Sequence, residues 1–136
     1  MIEIKNLITT YTTLVECHND YIQNPNSEFL QYIADSCVKR FEYTLETAWK
    51  LMKKIFIKKY GKTEQELTIN NIFRLMQGYG YTTSWESWRD YYQKRNNTAH
   101  EYNLVKSREL ISLIPEFIKD VDFLIEQLKK EDLNEY

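Results

Sequence analysis

Apolar residues recur at three- and four-residue steps along most of this chain, with polar residues filling the gaps. Ile4, Leu7, Ile8, Tyr11, Leu14, Val15, Tyr21 and Ile22 fall on one stripe, which predicts a first helix from about Ile4 to Ile22 with one buried face. The segment "NPNS" (24–27) breaks that pattern with turn residues, and Ser27 is suited to cap the next helix. A long helix is predicted from about Glu28 to Tyr60, on the period set by Leu30, Ile33, Ala34, Cys37, Phe41, Leu45, Ala48, Met52, Ile55 and Phe56, with Gly61 as its stop. "LTINNIFRLMQGYG" (67–80) reads as a short helix ended by Gly78 and Gly80. "TSWE" (83–86) has the Ser/Thr-x-x-Glu spacing of a capping box, so a further helix starts near Ser84 and runs through Trp88, Tyr91 and Tyr92 toward Arg95. The last helix spans about Val105 to Lys130. Its face is Leu110, Ile111, Ile114, Phe117, Ile118, Val121, Leu124, Ile125 and Leu128, and Pro115 is placed to kink it.

With no internal repeat and no long linker, the pattern predicts one all-α domain over 1–136, an up-and-down antiparallel bundle of about five helices. Only one stretch departs from plain amphipathic helix. "RNNTAHEYN", Arg95 to Asn103, gathers poor helix formers, a histidine, an arginine and a tyrosine. Two readings fit it. In one, the helix stops at Arg95 and "TAHE" (98–101) is a capping box opening the final helix. In the other, the helix continues to Tyr102 and Asn103 caps the final helix, so that Asn96 and His100 lie one turn apart on a face and Arg95 and Tyr102 two turns apart on the neighbouring stripe. The second is the reading we adopt, and in both the four polar groups converge on one patch.

Composition narrows the classes. Gly occurs three times and Pro twice, too few for the many turns of an all-β fold. The formal net charge of −2 supplies no global field for nucleic acid, although a local patch can still bind it. Cys17 and Cys37 form no C-x-x-C pair and, with only His18 and His100 beside them, no zinc set. Both lie on apolar helix faces and read as buried thiols of a reducing cytosol, while His18 reads as a partly buried helix residue. No metal site and no cofactor site is expected. Met1 to Ile8 already carries acid and amide residues, unlike a signal peptide, and no apolar run approaches the roughly 18 residues of a membrane helix. The chain therefore reads as a soluble cytoplasmic protein.

Three features carry candidate chemistry. An Arg with a His five residues later suits metal-free cleavage of RNA. The imidazole can take the 2′-hydroxyl proton or give one to the leaving 5′-oxygen, and the guanidinium can hold the phosphate through two parallel donors. One histidine does not readily serve both ends of an in-line displacement, whereas two copies facing each other across a dimer would. Such a spacing alone is a weak signal, and taken alone it reads first as a polar helix end. In "KRFEYTLETAWK" (39–50), Glu42 and Glu46 form an i, i+4 acidic pair, either a surface coincidence or a device that holds a cation or orients an Arg or His from another helix. In "WESWRDYY" (85–92), four aromatics fall within eight residues. Some of them are expected to lie away from the core, where they would stack on bases or on a partner chain, and the helix carrying Trp85, Trp88 and Tyr92 is expected in the interface of a homodimer. No Gly-rich phosphate loop is present.

Taken together, "RFEYTLETAWK", then "NNIFRLMQGYG", then "W-x-x-W-R-D-Y-Y-x-x-R-N-N-T-A-H-E-Y-N" resemble the HEPN superfamily. More narrowly, they resemble its nucleotidyltransferase substrate-binding proteins, of which the HepT toxins are close relatives. The likeness runs from about Ser36 to Leu128, and the family pattern R-x4-H-x-Y falls on Arg95, His100 and Tyr102, with the favoured polar residue at Asn96. The resemblance implies a helical homodimer in which two such motifs flank one cleft, acting as a metal-independent endoribonuclease on RNA within a toxin–antitoxin pair. It implies a minimal nucleotidyltransferase as the antitoxin partner, silencing the toxin by transferring AMP to Tyr102. Glu101 departs from the pattern by placing negative charge beside a site meant for phosphate. A non-catalytic partner subunit of the nucleotidyltransferase, or a purely structural helical dimer, remain the alternatives.

Overall fold

A computed structural model describes residues 1–100 and 104–136, with side chains described for 1–97 and 105–136. Five α-helices make up the described chain: α1 (Lys5–Gln23), α2 (Leu30–Lys58), α3 (Ile69–Gly78), α4 (Trp85–His100) and α5 (Leu104–Lys129), with one turn of 3-10 helix at Glu64–Glu66. No strand occurs among the described residues, and the architecture is the all-α bundle that the periodicity predicts. The long helix α2 packs against each of the other four.

Helix ends follow side-chain chemistry more closely than the apolar period does. The second helix begins later than expected because Ser27 acts within the preceding turn. Its hydroxyl accepts from the Phe29 amide at 3.1 Å and its carbonyl from the Leu30 amide at 3.2 Å. Upstream of α4 the capping serine is one position later than the Thr-x-x-Glu pattern implies. Ser84 Oγ accepts the Ser87 amide at 3.3 Å, while the Trp85 amide is satisfied by Gln77 Oε1 of α3 at 2.8 Å. A true capping box occurs where no box was expected, between Thr63 and Glu66. The stop of α3 depends on Gly80. With φ at 83°, it lets the Tyr81 amide reach Met76 O at 2.9 Å and its own amide reach Gln77 O at 3.0 Å, the paired bonds of a Schellman turn. Pro115 lies inside α5 on its exposed side, and the helix passes through it unbroken.

Rings from three helices meet at Phe117 of α5. Phe41 of α2 lies 4.6 Å from it, Tyr91 of α4 5.0 Å and Trp88 of α4 5.9 Å, centroid to centroid. Trp88 also meets Phe73 of α3 at 6.0 Å. This cluster takes Trp88 out of the aromatics expected to lie away from the core. It is 1% exposed and belongs to the core of its own chain, as does Tyr91. Tyr92 is half-buried, edge-on to Phe73 at 6.4 Å. Trp85 is half-buried too, flanked by the guanidinium groups of Arg74 at 4.3 Å and Arg89 at 5.2 Å. The chain's two ends are tied by the Ile2 amide donating to Leu133 O at 3.0 Å.

The core-facing Tyr91 keeps its polar tip satisfied by donating to the Asp120 carboxylate of α5. Burial raises the Asp120 carboxyl above its ordinary range and Glu116 adds to this, while the Tyr91 hydrogen bond acts the other way. A carboxyl raised on folding contributes stability that is complete below the unfolded value and is lost as pH rises through the folded one. Asp120→Asn should remove that loss. The variant's stability relative to the parent should therefore improve as pH rises from about 4 toward neutrality, as urea melts at the two pH values will read. Parallel stability profiles for the two proteins would show that this carboxylate carries no such linkage.

Candidate nucleic-acid cleavage site

Helix α4 runs on past Arg95 to His100. The alternative of a stop at Arg95 with "TAHE" opening the final helix is excluded. Arg95, Asn96 and His100 therefore occupy one helix, and Asn96 and His100 are one turn apart along it. The His100 side chain and the whole of Tyr102 lie outside the described residues.

Arg95 and Asn96 are both half-buried at the last described turns of α4. Arg95 points toward α2, where its Nη2 lies 3.8 Å from Glu46 Oε2. Glu46 also meets Lys50 at 3.3 Å, and Glu42 meets Lys39 at 3.7 Å. Of the two readings of the acidic pair, orientation of an Arg from another helix is the one observed at Glu46. At that distance the contact is an ion pair rather than a hydrogen bond, and the Arg95 side chain stays 32% exposed. The guanidinium is thus aimed by a carboxylate without being enclosed by it.

A second tie fixes the same end of α4. Lys94 Nζ lies 3.3 Å from Glu109 Oε2 near the start of α5. Lys94 and Arg95 therefore brace consecutive positions of α4 against α5 and α2. Each exposed pair contributes only about 0–1 kcal/mol, so their effect is on direction more than on stability. Lys94 and Glu109 carry no mark of this pairing in the sequence, because pairs between helices have no fixed spacing along a chain. Among the described residues no group of three or more His, Cys, Asp or Glu is placed to hold a metal ion, and no helix is long and apolar enough to cross a membrane. His18 is buried in α1, where burial lowers its pKa, and it has no part in this patch.

Comparison with known proteins bears on the whole bundle. The chain is 27% identical over 97 residues to a probable ribonuclease HepT from Haemophilus influenzae, a match covering 70% of this chain and 66% of that protein, just under two thirds of its length. Its fold is shared with a solved structure from H. influenzae, described as showing the fold of a substrate-binding domain of a nucleotidyltransferase. The TM-score is 0.81 at 21% identity, covering 93% of this chain and 99% of that one. A protein from Thermus thermophilus has the same fold, with a TM-score of 0.73 at 21% identity over 90% of this chain and 98% of that one. Residues 3–130 match the family described as nucleotidyltransferase substrate binding protein like. With nearly the whole chain matched and the five-helix fold in common, this protein belongs to that family.

Proposed function

We propose that this chain is a metal-independent endoribonuclease of a toxin–antitoxin pair, cutting RNA with Arg95 and His100. The observation that carries the reading is the unbroken run of α4 through both residues, which holds the R-x4-H offset constant in a chain related to a probable ribonuclease HepT. His100 takes the proton of a 2′-hydroxyl as its oxygen attacks the adjacent phosphorus. Arg95 stabilises the charge that builds on the phosphoryl oxygens, and the 5′-oxygen leaves with a proton. In this reading a homodimer brings two such motifs to one cleft, so that one histidine serves as base and the other as acid. Incubation of the purified chain with RNA in EDTA tests it, with products ending in a 2′,3′-cyclic phosphate expected.

Control of the site is assigned to Tyr102 and a partner nucleotidyltransferase. The phenol oxygen attacks the α-phosphorus of ATP and pyrophosphate leaves. The AMP so attached pairs its phosphate with Arg95 and occupies the space an RNA phosphodiester needs. Mass spectrometry after incubation with that enzyme, ATP and magnesium should show a gain of one AMP in the parent and none in Tyr102→Phe, which should retain its cleavage of RNA. A gain that persists in Tyr102→Phe would move the acceptor elsewhere.

The second reading, a non-catalytic partner subunit of the nucleotidyltransferase, is favoured by one contact. The Glu46 carboxylate 3.8 Å from Arg95 competes with any phosphate for the guanidinium. Intact RNA after incubation with the pure, folded protein, together with a stable complex with the nucleotidyltransferase, would decide for it.

A further inference from the structure

The chain has two cysteines, twenty residues apart in sequence and on different helices. The fold brings them together, with Cys17 Sγ of α1 3.1 Å from Cys37 Sγ of α2. Their environments differ. Cys37 is fully buried. Cys17 is half-buried, lies 3.6 Å through its sulfur from Ile33 O, and lines a surface cleft of about 330 Å³ together with Thr13, Glu16, Tyr32, Ser36 and Arg40. Small polar oxidants can enter this cleft.

We propose that Cys17 and Cys37 are a site of reversible oxidative modification, closing to an intrachain disulfide when the protein meets a peroxide or a small disulfide such as oxidised glutathione. The sulfurs need to approach by about 1 Å to reach bonding distance, a shift within side-chain adjustment at the seam of two helices. With hydrogen peroxide, the Cys17 sulfur attacks one peroxide oxygen, the O–O bond breaks and a water leaves, giving a sulfenic acid at Cys17. The Cys37 sulfur then attacks the Cys17 sulfur, the S–O bond breaks and a second water leaves. Two thiols lose two electrons and their protons, and one peroxide becomes two waters. With oxidised glutathione, Cys17 forms a mixed disulfide and releases one glutathione. Cys37 displaces the other. Cys17 lines the cleft while Cys37 is fully buried, which assigns first attack on an incoming oxidant to Cys17 and bridge closure to Cys37.

The bridge staples α1 to α2 across the turn at 24–29, closing a loop that is open in the reduced chain. The test uses the full folded chain treated with hydrogen peroxide or oxidised glutathione. Titratable thiols under denaturing conditions should fall from two to none, and the mass should fall by two hydrogens with no glutathione retained. A reductant should reverse both changes. After a protease cut within 24–29, the two fragments should stay joined until reduced. Cys37→Ala, if folded, should instead keep one glutathione on Cys17; Cys17→Ser, on the half-buried side, is the second variant and should take none on Cys37. Two thiols surviving in the treated parent, a glutathione adduct that persists beside a free Cys37, or a bridge between two chains would each overturn the proposal.

Discussion

Replacing Trp88 by alanine should unfold this protein or bring it close to that point. The ring is 1% exposed and stands where three helices meet, against Phe73 of α3 at 6.0 Å, Phe117 of α5 at 5.9 Å and its own neighbour Tyr91 at 5.9 Å. Truncating a buried Trp removes its transfer free energy and leaves a cavity lined by rings that cannot collapse into it, at a cost of about 3–5 kcal/mol. Against a total stability of roughly 5–15 kcal/mol, that is a large fraction. The melting temperature should drop by roughly 10 °C or more. Trp85→Ala, at a half-buried position held by two guanidinium groups, should cost far less. Thermal melts and size measurements on both variants separate the roles. A Trp88→Ala protein as stable as the parent but altered in association would return Trp88 to an interface.

The position of Trp88 shows where sequence reasoning ends. In α1, α2 and α5 the buried face is written in aliphatic residues at helical spacing, and those helices begin and end within a few residues of the expected places. The described part of α4 has no aliphatic residue before Ala99, only aromatics and polar groups. Four rings in eight residues do not say which face is inward. The choice is made by Phe117, about thirty residues on, and by Asp120, which satisfies the Tyr91 hydroxyl and so makes a tyrosine acceptable in the core. Both are long-range partners with no local signature. The same holds for Cys17, read as a buried thiol but half-buried at a cleft beside Cys37.

Helix ends are decided by a different kind of contact. "TSWE" offers two adjacent hydroxyl residues, and the pattern cannot say whether Thr83 or Ser84 is the cap. The geometry chooses Ser84 because Gln77 is there to take the Trp85 amide. The candidate site was legible as a motif, since the R-x4-H spacing is local and α4 carries it intact. Its setting was only half legible. The acidic pair Glu42 and Glu46 is visible in the sequence, yet nothing there says that Glu46 faces Arg95.

That contact sharpens the largest functional expectation. In the proposed ribonuclease, His100→Ala and Arg95→Ala should each lower RNA cleavage in EDTA by at least about a hundredfold, the scale for losing a general acid–base or a charge clamp. Arg95→Lys should recover little, because a point charge does not reproduce a planar fork gripping two phosphoryl oxygens. A loss at Arg95 alone would be ambiguous, since the residue also ties α4 to α2. Glu46→Gln resolves this. It breaks the same tie but leaves the guanidinium in place to meet phosphate. An exposed pair is worth about 0–1 kcal/mol, so its removal should change the rate by less than about tenfold in either direction. If Arg95 acts on the phosphate, Arg95→Ala will be crippled and Glu46→Gln nearly normal, with both proteins melting within a few degrees of the parent. If what activity needs from Arg95 is its contact with Glu46, the two variants will lose activity together. Cleavage that persists at the parental rate in both Arg95→Ala and His100→Ala would mean that the nuclease in the tube is not this site.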